Sequence, residues 1–386
     1  MSAIDSYDFI IAGSGCSGLS VAWNLLKHPN LKKKSILLLD PEPVPKNDKT
    51  WCYWNSDFTP EIVPIFKKWK TAIVSTPNKI NAFPLSPYSY FCIRSEDYTE
   101  ALLSYLKSQK NIAIRSEGVT SIREENKNVV VETNDNLYKA ELCFKCFGQP
   151  ELSKTRYPLK QHFLGWNITT DTPTFNDKTV VFMDFTVPQI EGAVFMYVLP
   201  FSKTEALFEF TFFSENVVST EIYEREIKNY LEKYYPDLEY KINRVEKGVI
   251  PMADASHTPG SGRIIHLGTA SGSPKPSTGF SFSRIQQQSK AVVDHIASGN
   301  IEGAHEAISP YRYRFYDLLL LDVIQNQPEY TVEVFEKLFT NNPPKRVFSF
   351  LDENQSLIDN IKIMASVPWT PFLKAIWRNL NHLGKI

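Results

Sequence analysis

The chain has 386 residues, of which 42% are hydrophobic, enough to fill a core in two domains or in one large domain with an inserted layer. Its 42 basic and 43 acidic side chains give a net charge of −1, so nothing marks a nucleic-acid binder and no nucleic-acid partner is expected. No apolar run reaches the ~20 residues of a membrane-spanning helix, which leaves a soluble chain or one that lies on a membrane surface.

The first ordered pattern begins almost at once. Asp8 to Ala12 is an apolar run of strand length, and Gly13, Gly15 and Gly18 follow in G-x-G-x-x-G spacing. Leu19, Ala22, Trp23 and Leu26 then recur at helical intervals, and the next apolar run, Ile36 to Leu39, ends on Asp40, 22 residues past Gly18. Strand, tight turn, helix, strand and acid in this order form the recipe for holding the ADP half of a dinucleotide. Gly13 permits the turn, Gly15 lets the backbone approach a pyrophosphate, and Gly18 lets the helix sit close to the sheet. The positive end of the helix faces the phosphates, and Asp40 can accept from the adenosine ribose. The motif alone does not separate FAD from NAD.

Residues 41–54 hold three prolines and read as a long loop on the ligand side of the sheet. Asn47, Asp48, Lys49 and Thr50 beside Trp51, Tyr53 and Trp54 suit a site contribution, or a loop tucked in by its aromatics. Short runs over 61–93 suggest meandering strands. Ser95 is placed to cap a helix whose core face is Tyr98, Leu102 (or Ala101) and Leu106. Strands are expected at 112–116, 118–123 and 128–133, and from Tyr138 to Phe147. Gly148, at the end of that last strand, suits a close approach to a cofactor. Cys143 and Cys146 form a C-x-x-C, but on a strand these positions face opposite ways, and no second pair completes a zinc site; no metal centre is expected. Five cysteines and no secretory pattern fit a cytoplasmic chain.

From Phe163 to Ser214 the pattern turns antiparallel, with runs at Thr179 to Asp184, Ala193 to Leu199 and Leu207 to Phe213. Glu209 sits among aromatics in the last of these. On a buried face such a carboxyl has a raised pKa and can donate a proton near neutral pH. On a solvated face, with Phe208, Phe210 and Phe212 inward, it would be ordinary; alternation leaves both open. Asp184 is a second carboxylate in apolar company, or else a strand-end residue. Glu221 to Leu231 reads as an amphipathic surface helix. Ile264 to Leu267 is a strand that runs into a Gly-, Ser- and Pro-rich loop, followed by a helix with Phe280, Ile285, Val292 and Ile296. Ser277 or Thr278 can cap that helix, and Gly279 lets a ligand approach. With Pro276 these residues make a second cofactor contact far from the first, which argues for FAD rather than NAD. Residues 300–386 read as helical. Phe372, Leu373, Ile376, Trp377 and Leu380 share a face that suits either a membrane surface or the helix's own core.

Taken in order, several motifs resemble the lycopene cyclase family in its bacterial β-cyclase branch. After the glycine turn they are Asn47-Asp-Lys-Thr-Trp-Cys-Tyr-Trp54, Gln161-His-Phe-Leu-Gly-Trp166, Met183-Asp-Phe-Thr-Val187, Phe195-Met-Tyr-Val-Leu-Pro-Phe201, Phe208-Glu-Phe-Thr211, Gly248-Val-Ile-Pro-Met252 and Lys275-Pro-Ser-Thr-Gly-Phe280. The resemblance implies a non-redox isomerase that closes an acyclic carotene end, such as that of lycopene, into a β-ionone ring through a carbocation. It also implies reduced FAD as cofactor, NAD(P)H as its reductant and peripheral contact with membrane lipid. By the match Glu209 is the catalytic acid or base and Asp184 a supporting residue. Plant members carry a second acid beside that glutamate; here the position is Phe210. Phe185, Phe195, Tyr197, Phe208, Phe210 and Phe212 are expected to offer faces to the cation.

The expected fold is α/β: a Rossmann-type FAD-binding domain of the glutathione-reductase-like flavoprotein type, with an inserted antiparallel β substrate domain and a helical C-terminal region. The FAD-binding βαβ and ligand loop fall at 1–60, substrate-domain strands at 61–93, the FAD-binding domain continued at 94–160, the antiparallel substrate domain at 161–247, the flavin loop and helix at 248–300, and the helical region at 301–386. The alternatives are a FAD-dependent monooxygenase or prenyl reductase on the same fold, or a carotenoid carrier with a vestigial flavin site.

Overall fold

The computed structural model describes residues 5–54, 57–150, 155–254, 260–306 and 309–382. The chain opens with β1 (Asp5–Ala12), α1 (Cys16–Lys27) and β2 (Ile36–Asp40), as the apolar periods predict. Short strands follow: β3 (Thr50–Tyr53), β4 (Lys67–Trp69), β5 (Thr71–Thr76), β6 (Lys79–Pro84) and β7 (Tyr90–Arg94). The proline-rich loop therefore ends in a strand rather than running on to Trp54. Then come α2 (Ser95–Lys107), β8 (Ile112–Ser116), β9 (Val119–Glu125), β10 (Asn128–Thr133) and β11 (Leu137–Lys145). The antiparallel region is β12 (Pro158–Thr169), β13 (Thr179–Asp184), β14 (Ala193–Pro200), β15 (Glu205–Ser214), α3 (Thr220–Tyr234) and β16 (Lys241–Ala253). β17 (Gly260–Ser261), β18 (Ile264–His266) and α4 (Phe282–Ala297) return to the first unit. The helices α5 (Tyr311–Asn326), α6 (Thr331–Thr340), α7 (Pro344–Leu351), α8 (Leu357–Ser366) and α9 (Trp369–Asn379) follow.

Two large sheets organise these elements. In the first the order is β17-β18-β11-β1-β2-β8, with the hairpin β9–β10 attached to β11. Its inner strands are parallel, and their residues are apolar on both faces because α1, α2 and α4 cover one side and the hairpin the other. The second sheet, β16-β12-β15-β14-β13-β5-β6, is antiparallel except where β5 runs parallel to β13. One face packs on α3 and the other toward α5, α6 and α7. β3, β7 and β4 form a small sheet at the junction of the two.

Two expected caps are corrected. Ser95 is the first residue of α2, not its cap. Its hydroxyl donates to the Lys46 carbonyl and accepts from the Lys49 amide, so it ties the ligand loop to the helix. Likewise α4 begins at Phe282, after Ser281, so neither Ser277 nor Thr278 caps it, and Phe280 lies before it. Ser277 donates instead to Asp317 on α5, at 2.6 Å.

Candidate active site

The glycine turn makes the first half of the site. Gly13 adopts φ +106°, and a Cβ on Gly18 would stand 1.8 Å from the Gly13 carbonyl oxygen, so β1, turn and α1 close up only with glycine there. A Cβ on Gly15 would meet nothing within 4 Å. That open position lies at the uncapped N-terminus of α1 and faces a cleft of about 700 Å³, inside the roughly 300–1,000 Å³ range of small-molecule sites. Asp40, Asp48, Thr50 and Gly148 also line the cleft. Gly148 stands at φ +100° just past β11. The Asp40 carboxylate accepts from the Ser14 and Glu42 amides at 2.7 and 2.8 Å, which fixes the turn from the end of β2. Free amides at a helix start, a side-chain gap beside them and an acid at the second strand fit a dinucleotide.

The second half is a cavity of about 180 Å³ over the antiparallel sheet. Its wall on that sheet follows from register. Gln161, Phe163 and Gly165 of β12 stand opposite Phe213, Thr211 and Glu209 of β15, and all point to the same face. Phe195 and Tyr197 of β14 continue the rows. Phe280, Phe335 and Phe348 close the space from the opposite side. Thr50, Trp51, Phe163, Ile250 and Ser281 line both cavity and cleft, so the two spaces adjoin.

Glu209 faces this cavity and is 7% exposed. Thr211 donates to it at 3.1 Å. Burial pushes its pKa up to about 8, with the nearby Glu246 charge adding to the effect, against smaller opposing contributions from Thr211 and Arg244. A carboxyl held protonated at neutral pH, in aromatic company, can give a proton to an apolar ligand. Ser277, Thr278 and Gly279 line the cavity too, whereas Pro276 lies on neither lining. A Cβ on Gly279, at φ +70°, would lie 1.9 Å from the Gln161 carboxamide oxygen, so glycine is what lets this loop press onto β12. The Thr278 hydroxyl and that Gln161 oxygen are buried without a hydrogen-bond partner, polar atoms left for a ligand.

Three expectations are not brought into the cavity. Phe208, Phe210 and Phe212 point to the other face of β15 and pack with Tyr223, Ile227 and Tyr230 of α3. Phe185 stands behind the lining, against Phe195 and Phe335. Asp184, 4% exposed, is not on the lining; it accepts from Tyr230 Oη and from the Thr186 amide, both at 2.9 Å, and so anchors the end of β13 to α3. Conversely, Phe163, Phe213, Glu246 and Arg244 belong to the site without having been singled out. Phe163 and Phe213 follow from strand period once Glu209 is known to face inward; Glu246 and Arg244 carry no local signal.

A parallel sheet with a glycine-turn cleft, joined to an antiparallel sheet with an apolar cavity, is the architecture of the FAD-dependent flavoproteins. The chain is similar to a geranylgeranyl bacteriochlorophyll reductase-like protein of Thermoplasma acidophilum, with TM-score 0.61 and 14% identity over 99% of this chain and 98% of that one. It is similar also to a flavoprotein/dehydrogenase of Cytophaga hutchinsonii, with TM-score 0.61 and 11% identity over 97% and 100%. At such identity the likeness speaks for the fold. The family described as lycopene cyclase protein matches residues 8–376, and the chain belongs to the lycopene cyclase family. Among curated relatives, a lycopene beta-cyclase of Pantoea ananas is 23% identical over 96% of this chain and 97% of its own length.

Proposed function

We propose that the chain is a lycopene β-cyclase of carotenoid biosynthesis, which closes acyclic carotene ends into β-ionone rings, lycopene to γ- and β-carotene, without net redox change. One observation carries the reading: a buried carboxyl, Glu209, whose pKa burial pushes up to about 8, in an aromatic cavity that adjoins the cleft at the glycine turn. The cavity is smaller than a complete ligand pocket, which suits the reacting end of a long molecule rather than the whole of it.

Glu209 gives its proton to the terminal double bond, whose π electrons form the new C–H bond and leave a tertiary carbocation. The next double bond supplies the electrons of the ring-closing C–C bond. The ring proton next to the cation then passes to the Glu209 carboxylate as its C–H electrons form the β-ionone double bond, which restores the acid and balances atoms and electrons. Phe163, Phe195, Tyr197 and Phe213 present faces that stabilise a cation without attacking it, and the apolar lining keeps out water that would quench it. FAD is the ligand proposed for the cleft, held at Gly13, Gly15, Gly18, Asp40, Asp48, Thr50 and Gly148, with Ser277, Thr278 and Gly279 at the seam with the cavity. Reduced flavin held there, and maintained by NAD(P)H, would supply electron density that favours positive charge on the ligand. Asp184 supports from behind the sheet, through Tyr230.

A carotene is insoluble in water, so the site must be supplied from lipid. No helix among the described residues is long and apolar enough to cross a membrane. Leu357, Ile358 and Ile361 on α8 and Trp369, Leu373 and Trp377 on α9 are all at least half exposed, with exposed Lys362 and Lys374 on the same helices. Exposed tryptophans with aliphatic neighbours and lysines suit a lipid interface, which supports peripheral binding at the cytoplasmic side. The test is an anaerobic assay on lycopene-loaded vesicles with FAD and NADH. The expected result is cyclised product without matching nicotinamide consumption, and loss of vesicle co-flotation in the double variant Trp369→Ser, Trp377→Ser. Stoichiometric NADH loss would favour a reductase, and a need for oxygen a monooxygenase.

A further inference from the structure

The second acid missing beside Glu209 in sequence arrives from another strand. In the register of the antiparallel sheet, Gly165 on β12 stands between Glu209 on β15 and Glu246 on β16. All three share one face, in a single cross-strand row that Tyr197 of β14 continues. Gly165 has no side chain to separate the two carboxyls. A Cβ there would press to 3.3 Å from the Glu209 Cβ. The two acids are thus two strand spacings apart, ~10 Å between their Cα atoms, with no side chain on the residue between them.

Glu246 is 4% exposed and wholly engaged. Its Oε1 accepts from the Thr50 amide at 2.7 Å, and its Oε2 accepts from the Thr50 hydroxyl at 2.7 Å and faces Arg244 Nη1 at 3.0 Å. Arg244 Nη2 donates to the Thr50 hydroxyl at 2.9 Å, and Nη1 to the Asn47 carbonyl at 3.2 Å. Every partner among the described residues is a donor, which is the environment of an ionised carboxylate. Among the described residues Glu209 has one donor, Thr211, and no cation bonded to it. The two carboxyls are therefore set apart by their surroundings, one with its charge satisfied and one kept dry.

We propose that Glu246 is a positioning residue of the acid site: its fixed negative charge stands across Gly165 from Glu209 and keeps the proton on it, while its carboxylate pins Thr50 at the seam of cavity and cleft. This rests on Glu209 being the acid. The other titratable groups about this face are Arg244, whose charge opposes the effect, and Tyr197, Tyr90, Cys92 and Cys52. Burial raises Tyr90, Tyr197 and Cys92 well above their ordinary values, so they stay neutral and do not replace the Glu246 charge. The direction of the Glu209 shift agrees, with the Glu246 charge second only to burial among its causes.

The experiment compares pH–rate profiles of the flavin-loaded parent, Glu246→Gln, Glu246→Asp and Glu209→Gln, with flavin content and melting temperature measured on each. Neutralising Glu246 removes an anion and frees Arg244, and both changes favour ionised Glu209. The alkaline limb of kcat is therefore expected to move down by about half a unit to one unit in Glu246→Gln, and to stay near the parent position in Glu246→Asp. Glu246→Ser is the second neutral form should Glu246→Gln not fold. An unmoved limb in a folded neutral variant overturns the inference while leaving Glu209 as the acid. Full activity in Glu209→Gln overturns the reading beneath it.

Discussion

Glu209 keeps its proton at the expense of stability. An unfolded glutamate titrates near 4.5, the folded one at about 8. Between these values the folded state binds more protons than the unfolded one, so this group makes the protein less stable as pH rises through that window. Removing the titration should show this. Glu209→Gln is expected to melt above the parent at pH 8, by about 2 °C or more, while the activity of the parent declines as pH rises through about 8 because the acid is lost. Equal melting temperatures together with a rate flat to pH 10 would contradict the assignment. Sequence alone left this residue undecided for a physical reason: nine of the ten residues of β15 are buried, so alternation separates two buried faces rather than core from solvent. Only the sheet's partners settle which face meets the cavity. The row of phenylalanines is the more uniformly apolar face, and it packs on α3 instead.

At the scale of elements, what is local was legible. The glycine turn, α1, β2, β8 and β10 follow from period and composition because their packing is decided within a few residues. The two misread caps have the opposite cause. Ser95 and Ser277 spend their hydroxyls on partners far along the chain, at Lys46 and Asp317, so a cap signature near a helix start points elsewhere once the fold has formed. The face of the last helix divides: Phe372 and Ile376 pack on α5, while Leu373 and Trp377 face outward. The glycine turn yields the element's own test. In Gly15→Ala the new methyl meets no atom of the protein and φ is an ordinary −73°. It should therefore melt like the parent yet bind FAD about tenfold or more weakly, ~1.4 kcal/mol. Gly18→Ala forces a methyl into the Gly13 carbonyl and should lose stability as well as FAD. Parent-like FAD affinity in Gly15→Ala would remove the pyrophosphate from this turn.

The whole molecule brings together what no local pattern foretells. Glu246 reaches Thr50 across 196 residues. A buried cluster joins Lys275 to Asp317 at 3.0 Å and to Glu353 at 2.8 Å, with Arg284 on the same Glu353 at 2.9 Å. That cluster fastens the loop carrying Thr278 and Gly279 to the C-terminal helices, so the cavity's roof and the cleft's edge are held by one network. Charges buried in this way must be paired to be tolerated, and their partners lie too far along the chain to be matched from sequence. The resemblance points to Glu209 where alternation does not, because family motifs record an assembled site rather than the local fold, and the structure turns that side chain toward the cavity. Acid-initiated ring closure by Glu209 is the step on which the proposed activity depends. Its most direct test is the carotenoid profile of lycopene-accumulating cells that express the parent or Glu209→Gln, with flavin content measured on both purified proteins. The expected result is γ- and β-carotene from the parent, and unchanged lycopene from a Glu209→Gln protein that still binds flavin. Cyclised product from both would contradict the role of Glu209, and unchanged lycopene with the flavin-loaded parent would contradict the cyclase itself.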